Sequence, residues 1–260
     1  MLDKLSLDGK VTIVTGGGTG LGRAMVRALA RAGSNIALSA RRREPIEEVA
    51  AEVKSLGRDA VAITADLTKS DQANAMVKKV LSHFGKVDVL MNNAAQLGAP
   101  RTPIWDMSDE EWRVGMDTTL TSAFYCSRAI AKHMADRRRG KIINVASGYG
   151  MRGGKDMYTY TCAKGGVIQL TRTLALSLAP YGVTANTIVP GFIPTREGQG
   201  TNPEYMPTGK FPKPEDLGPV AVFLASEASD YMTGEMISVD GAAMAAGFSP
   251  TGYAPVVALR

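Results

Sequence analysis

A tyrosine and a lysine four residues apart can form an acid–base pair, and Tyr160 and Lys164 stand at that spacing in the stretch YTYTCAKGG (158–166). On a helix, residues four apart share a face; Tyr158, six positions before Lys164, points elsewhere. A phenol titrates near ~10, too high for efficient proton exchange at neutral pH. A neighbouring ammonium favours the phenolate and lowers that value, as general acid–base catalysis requires. A second chemical pattern, TGGGTGLG (15–22), follows the apolar run VTIVT and runs straight into a helical pattern. Glycines at 16, 20 and 22 suit a tight turn, close backbone approach to a pyrophosphate, and close helix–strand packing. The helix N-terminus behind them supplies free N–H groups and a favourable dipole. In that strand–turn–helix context the expectation is dinucleotide binding.

The residues after the second apolar run bear on which dinucleotide. An acid there would bond a ribose 2′-hydroxyl, whereas a 2′-phosphate calls for arginine, whose planar fork matches phosphate oxygens. The chain reads ALSARRRE: Ala40 stands where an acid would, followed by Arg41, Arg42 and Arg43. NADP is therefore expected over NAD, with a solvated helix start as the competing account of the triplet.

Positioning these groups requires a repeating framework, and the sequence carries one. Candidate strands are VTIVT (11–15), NIALSA (35–40), AVAITA (60–65), VDVLMN (87–92), KIINVA (141–146), VTANTIV (183–189) and EMISVD (235–240). Helical periodicity fills the intervals: Met116, Leu120, Phe124, Ser127, Ala131 and Met134 mark one face, and Val167, Leu170, Leu174 and Leu178 another. Strands apolar on both faces, alternating with helices, predict an α/β fold: a doubly wound parallel sheet covered on both sides. No internal boundary interrupts the pattern, so residues 1–260 are expected to form a single domain. The Gly/Pro-rich stretch 190–214 is expected to be a substrate loop or lid. The tail, 243–260, has little periodicity and is expected to pack against another subunit.

Bulk properties exclude other classes. The chain has 260 residues, 45% of them hydrophobic, and a net charge of +5, which suits one large globular domain. The arginine triplets at 41–43 and 137–139 lack the long basic stripe and aromatic interleaving of a nucleic-acid binder. No apolar run approaches the roughly 20 residues of a membrane span. The opening MLDKLSLDGKVTIVTGG lacks the charged, apolar and cleavage regions of a signal peptide, so a cytoplasmic location is expected. Cys126 and Cys162, the two cysteines, lack metal-ligand spacing, and no metal is expected.

Five motifs occur in one order: TGGGTGLG, NNAA (92–95) after the fourth strand, Ser147 after the fifth, YTCAK (160–164), and PGFIPT (190–195). Together they resemble the short-chain dehydrogenase/reductase superfamily in its single-domain branch, and FPKPEDLGPVAVFLASEASDYMTGEMISVDGA (211–242) is similar to the family's C-terminal block. The resemblance implies a Rossmann-type sheet of seven strands and a set of residue roles. Tyr160 matches the catalytic acid/base, Lys164 the lysine that lowers its pKa and bonds the nicotinamide ribose, and Ser147 the serine that polarises the substrate oxygen. Gly16, Thr19, Gly20 and Leu21 match the pyrophosphate turn, with Arg41 and Arg42 at the 2′-phosphate. Asp66 and Leu67 match the adenine contact, and Asn92, Asn93 and Ala94 the turn beside the adenine ribose. Pro190, Gly191, Ile193 and Thr195 match the segment that orients the carboxamide. A homotetramer, built by pairing helices near 108–135 and 158–180, is implied as well.

Two positions depart from the family pattern. Ala95 replaces the last glycine of N-N-A-G, and Thr119, in MDTTLTSAF (116–124), stands where an asparagine helps hold a proton-relay water. Thr119 is therefore expected at the relay, with a hydroxyl in place of an amide. The implied activity is an NADP(H)-dependent interconversion of a secondary alcohol and a ketone. Substrate candidates of the same family are a 3-oxoacyl thioester and a sugar acid; a non-catalytic NADP-binding regulator, motivated by Thr119, is the alternative from another class. Pocket walls are expected from Gln96 and Leu97, from 149–154 and from 192–206, and Arg152 and Lys155 stand where an anionic substrate would meet them.

Overall fold

The computed structural model describes residues 2–96, 101–195, 203 and 206–245. Seven parallel strands form one sheet: β1 (Val11–Thr15), β2 (Asn35–Ala40), β3 (Ala60–Thr64), β4 (Val89–Asn92), β5 (Gly140–Val145), β6 (Val183–Pro190) and β7 (Met236–Val239), in the order β3-β2-β1-β4-β5-β6-β7. Each strand expected from the sequence is present to within two residues at either end. Among the described residues, seven helices cover the sheet: α1 (Gly20–Arg31), α2 (Arg43–Ser55), α3 (Ser70–Phe84), α4 (Asp109–Met116), α5 (Ser122–Asp136), α6 (Tyr158–Leu178) and α7 (Gly218–Ala225).

Neighbouring strand residues face opposite ways, and both faces here are apolar. Val14, Ile36 and Leu38 pack with Met25 and Leu29 of α1, Ile46 and Val49 of α2, and Leu224 of α7. Ile13, Ala37 and Leu90 pack instead with Met76 and Val80 of α3 and with Cys126, Ile130 and Met134 of α5. This two-sided burial is why the strands read as continuous apolar runs. The strand order reverses between β1 and β4, and ligands of doubly wound sheets bind in the crevice beyond the carboxyl ends at such a switch.

One helix differs from its sequence reading. The long helix near 108–135 is two helices, α4 and α5, joined by a π-turn over Asp117–Thr121. A π-turn adds a residue to the helical repeat, so the apolar stripe read across it changes register. Phe124, expected on the core face, is exposed, and the buried positions of α5 are Ser122, Ala123, Cys126, Ser127, Ile130 and Met134. On α6, similarly, the most buried line runs through Ala163, Val167, Thr171 and Ala175, with Leu170, Leu174 and Leu178 half-buried beside it.

Candidate active site

Five loops meet at the carboxyl ends of β1, β2, β4, β5 and β6. The glycine turn leaves β1 and enters α1 at Gly20, with Gly16 and Gly20 both at positive φ (66° and 53°). A Cβ on Gly22 would lie 2.2 Å from the Gly16 carbonyl oxygen, so the turn closes only over bare backbone. Thr19, the N-cap of α1, makes no side-chain bond to the first turn, which leaves those N–H donors for an anion. This arrangement fits a dinucleotide pyrophosphate. Asn93 secures the turn from the side: its Nδ2 donates to the carbonyls of Thr15 and Gly16 (both 3.1 Å), while Thr15 Oγ1 accepts from the N–H groups of Asn93 and Ala94. Asn92 points the other way, into a buried network in which its Nδ2 donates to Asn144 Oδ1 (2.9 Å) and Asn144 donates to Thr171 Oγ1 (2.8 Å). The sequence alone does not separate the two asparagines; strand alternation at the end of β4 does.

At the end of β2, Ala40 lies opposite Thr64 of β3, so Arg41 and Asp66 leave the sheet side by side. The arginine triplet divides in two. Arg43 begins α2 and pairs with Glu47 at 2.7 Å, the surface ion pair of an ordinary helix start. Arg41 and Arg42 are exposed and form no ion pair among the described residues. Burial works to raise the Asp66 pKa, but hydrogen bonds from Thr68 and the charges of Arg41 and Lys69 outweigh it and hold the carboxyl below its usual range. Leu67, beside it, is buried against the α3 face.

Ser147 follows β5 directly and opens a 3-10 turn (Gly148–Gly150), its Oγ accepting from the Tyr149 N–H at 3.2 Å. That turn lies against α6 so closely that a Cβ on Gly150 would fall 2.7 Å from the Lys164 carbonyl. The contact brings Ser147 to the first turns of α6, near enough to Tyr160 for its hydroxyl to act on the phenol. Lys164 is buried, donates to the Val145 carbonyl at 2.7 Å, and places its Nζ 5.9 Å from the centre of the Tyr160 ring. Burial pulls its pKa down to about 8. The Tyr160 pKa is raised, not lowered as the spacing argument expects: burial dominates, Tyr149 adds to it, and the nearby Ser147 hydroxyl opposes it only in part. Among the described residues, Tyr158 forms no hydrogen bond with Ser147 or Lys164.

Thr119 sits buried at the middle of the π-turn, its Oγ1 accepting from the Gln96 N–H at 3.2 Å. The hydroxyl thus ties the loop after β4 to the α4–α5 junction. At the end of β6, Pro190 pairs with Val239, Gly191 donates to the Val239 carbonyl, and Ile193 is buried in the α1 face of the core. Thr195 reaches the glycine turn, its Cγ2 3.4 Å from where a Gly20 Cβ would stand. Residues 196–202, 204 and 205 of the expected lid lie outside the described residues, as do Leu97 and the tail beyond residue 245.

Two contacts escape sequence reasoning. The Tyr149 ring packs edge-on to Tyr160, with centroids 6.3 Å apart. Met244, on the turn after β7, approaches Gly148, its Sδ 3.2 Å from the position of an added Cβ. No periodic signal marks either, because both depend on how a loop folds back.

Comparison with known proteins places this architecture. The family model described as short chain dehydrogenase matches residues 10–205. The 2-dehydro-3-deoxy-D-gluconate 5-dehydrogenase of Escherichia coli (strain K12) is 38% identical over 252 residues, covering 93% of this chain and 98% of that one. A 3-oxoacyl-(acyl-carrier-protein) reductase of Synechocystis is 36% identical over 243 residues, covering 91% and 97%. Among solved structures, a gluconate 5-dehydrogenase from Burkholderia cenocepacia J2315 in complex with NADP and tartrate is 30% identical, with a TM-score of 0.88, covering 94% of this chain and 98% of that one.

Proposed function

We propose that this chain, which belongs to the short-chain dehydrogenase family and is an oxidoreductase of CH–OH or carbonyl groups, interconverts a secondary alcohol and a ketone with NADP(H). The observation that carries the proposal is the convergence of Ser147, Tyr160 and Lys164 at one strand end, in one crevice with a glycine turn whose first-turn donors are uncapped. When bound, the nicotinamide supplies or accepts the hydride. The protein's own groups handle the proton. Ser147 donates a hydrogen bond to the substrate oxygen and so polarises it. Tyr160 delivers a proton to that oxygen in reduction and removes it in oxidation. The Lys164 ammonium, fixed by the Val145 carbonyl, has donors left for ribose hydroxyls and stabilises the phenolate as it forms. Thr119 acts by holding Gln96 and the π-turn in register. Nothing here favours a non-catalytic regulator, since the matched relatives are dehydrogenases and reductases.

The preference for NADP rests on the end of β2. Ala40 neither bonds a 2′-hydroxyl nor repels a 2′-phosphate, and Arg41 and Arg42 have no carboxylate partner among the described residues. A charge-assisted contact with that phosphate is worth roughly 1.5–3 kcal/mol, or about ten- to more than a hundredfold in affinity. Steady-state kcat/KM for NADPH and NADH at fixed ionic strength tests this. NADPH should be preferred by at least about tenfold, and Ala40→Asp with Arg41→Ile should move the preference toward NADH by adding a repulsion and removing an attraction. A wild-type preference for NADH would return the triplet to a solvated helix start. The relatives and the lack of any helix long and apolar enough to cross a membrane among the described residues are consistent with a proposed cytoplasmic location.

A further inference from the structure

In the loop between β5 and α6, the guanidinium of Arg152 lies over the Tyr149 ring, its Cζ 4.3 Å from the ring centre. Its Nε is buried without a hydrogen-bond partner, and no carboxylate among the described residues pairs with it. A buried donor left unpaired costs free energy, and the cost is larger on a charged group. The location is informative. Tyr149 is the ring that meets Tyr160 edge-on, so a single aromatic ring separates this cation from the proposed proton donor. A guanidinium held over a ring by its cation still presents N–H donors in a planar fork, which matches a carboxylate at two points.

A second unpartnered polar atom lies on the adjoining loop. Gln96 Oε1 is buried with no hydrogen-bond partner, and the Gln96 backbone is pinned by Thr119. Since β4 and β5 pair in parallel with Asn92 opposite Asn144, the loops carrying Gln96 and Arg152 leave the sheet as neighbours. One offers an acceptor for a hydroxyl, the other a fork for a carboxylate.

We infer that Arg152 is a specificity-determining residue that binds the carboxylate of a small hydroxy or keto acid, with Gln96 accepting one of the substrate's further hydroxyls. The assignment rests on the alcohol–ketone reaction proposed above and narrows its substrate class. It disfavours a carrier-bound thioester: that substrate has no carboxylate, and its phosphate lies a whole pantetheine arm from the reacting carbon, whereas Arg152 stands one ring away.

The test compares D-gluconate with D-glucitol, which has the same six-carbon skeleton but an alcohol in place of the carboxylate. Binding of each to the full chain saturated with NADP+ is measured by calorimetry, and turnover of each is followed separately. D-Gluconate should bind at least about tenfold more tightly, the range of hydrogen bonds to a charged group. Arg152→Gln should abolish that ratio, while Arg152→Lys, which keeps the charge but not the fork, should keep part of it. Equal binding of the two by the wild type would overturn the inference. So would a ratio unchanged in Arg152→Gln, or tighter binding of glucose 6-phosphate than of D-gluconate. Arg152-dependent binding without turnover of any alcohol or ketone would keep the subsite and sink the reaction. Turnover of neutral ketones without any acid preference would do the reverse.

Discussion

At the scale of single residues, the chemistry depends on which of two nearby tyrosines meets the serine. Four-residue spacing selects Tyr160 over Tyr158, and Tyr160 is the one near Ser147 and packed on Tyr149. Replacing Tyr160 with phenylalanine keeps the ring and its edge contact but removes the proton. Tyr160→Phe should therefore lower kcat by ~10²–10⁴, the usual worth of general acid–base catalysis, with only a small change in the NADPH dissociation constant. Tyr158→Phe should be mild by comparison. Single-turnover oxidation of bound NADPH by a ketone would rank the two, and a larger loss in Tyr158→Phe would show that the wrong helix face had been assigned. That these residues come together was legible in the sequence; their electrostatics were not. Spacing places an ammonium near the phenol, but only the packed structure shows burial raising Tyr160 and pulling Lys164 down to about 8.

At the scale of elements, the strands were legible because two-sided burial leaves an unmistakable apolar run, and the glycine turn because it lies between a strand and a helix. The π-turn was not. Asp117–Thr121 has ordinary helical composition, and its extra residue shows only as a misplaced stripe in which Phe124 turns outward. Thr119 gains its significance there. Its Oγ1 accepts from the Gln96 N–H, so losing the hydroxyl leaves a partly buried donor unpaired, at roughly 1–3 kcal/mol. Thr119→Val, close to isosteric, should lower the melting temperature and raise KM for the carbonyl substrate, because Gln96 lines that side of the crevice. Thr119→Ser should behave nearly as wild type. Thr119→Asn restores the family's usual residue but enlarges a buried site, so any gain in turnover should come with a loss of stability. Thermal melts alongside substrate kinetics provide the check; a Thr119→Val protein unchanged in both would remove the positioning role.

At the scale of the whole molecule, the sheet and its two helical layers account for the core but leave apolar surface uncovered. Trp112 and Val114 on α4, Phe124 on α5 and Leu176 on α6 are exposed. Scattered exposed apolar residues need no explanation, whereas a cluster on adjoining helices marks an interaction face. Helices α4 and α6 do adjoin, since a Cβ on Gly115 would meet Thr159 at 2.5 Å. A symmetric homo-oligomer sets such a face against its own copy, so that residue i of one protomer meets residue j of the next and the reverse. The sequence reading expects a tetramer for the same two helices, and the register change at the π-turn strengthens that expectation by bringing Phe124 to the surface. Light scattering of the purified chain at micromolar concentration should return four times the 27.5 kDa chain mass. A charge at the centre of the face, as in Leu176→Lys combined with Phe124→Asp, should lower that mass, because an unpaired charge in a closed apolar interface has no compensating partner. A wild-type mass of one chain would show that the apolar face serves some other partner.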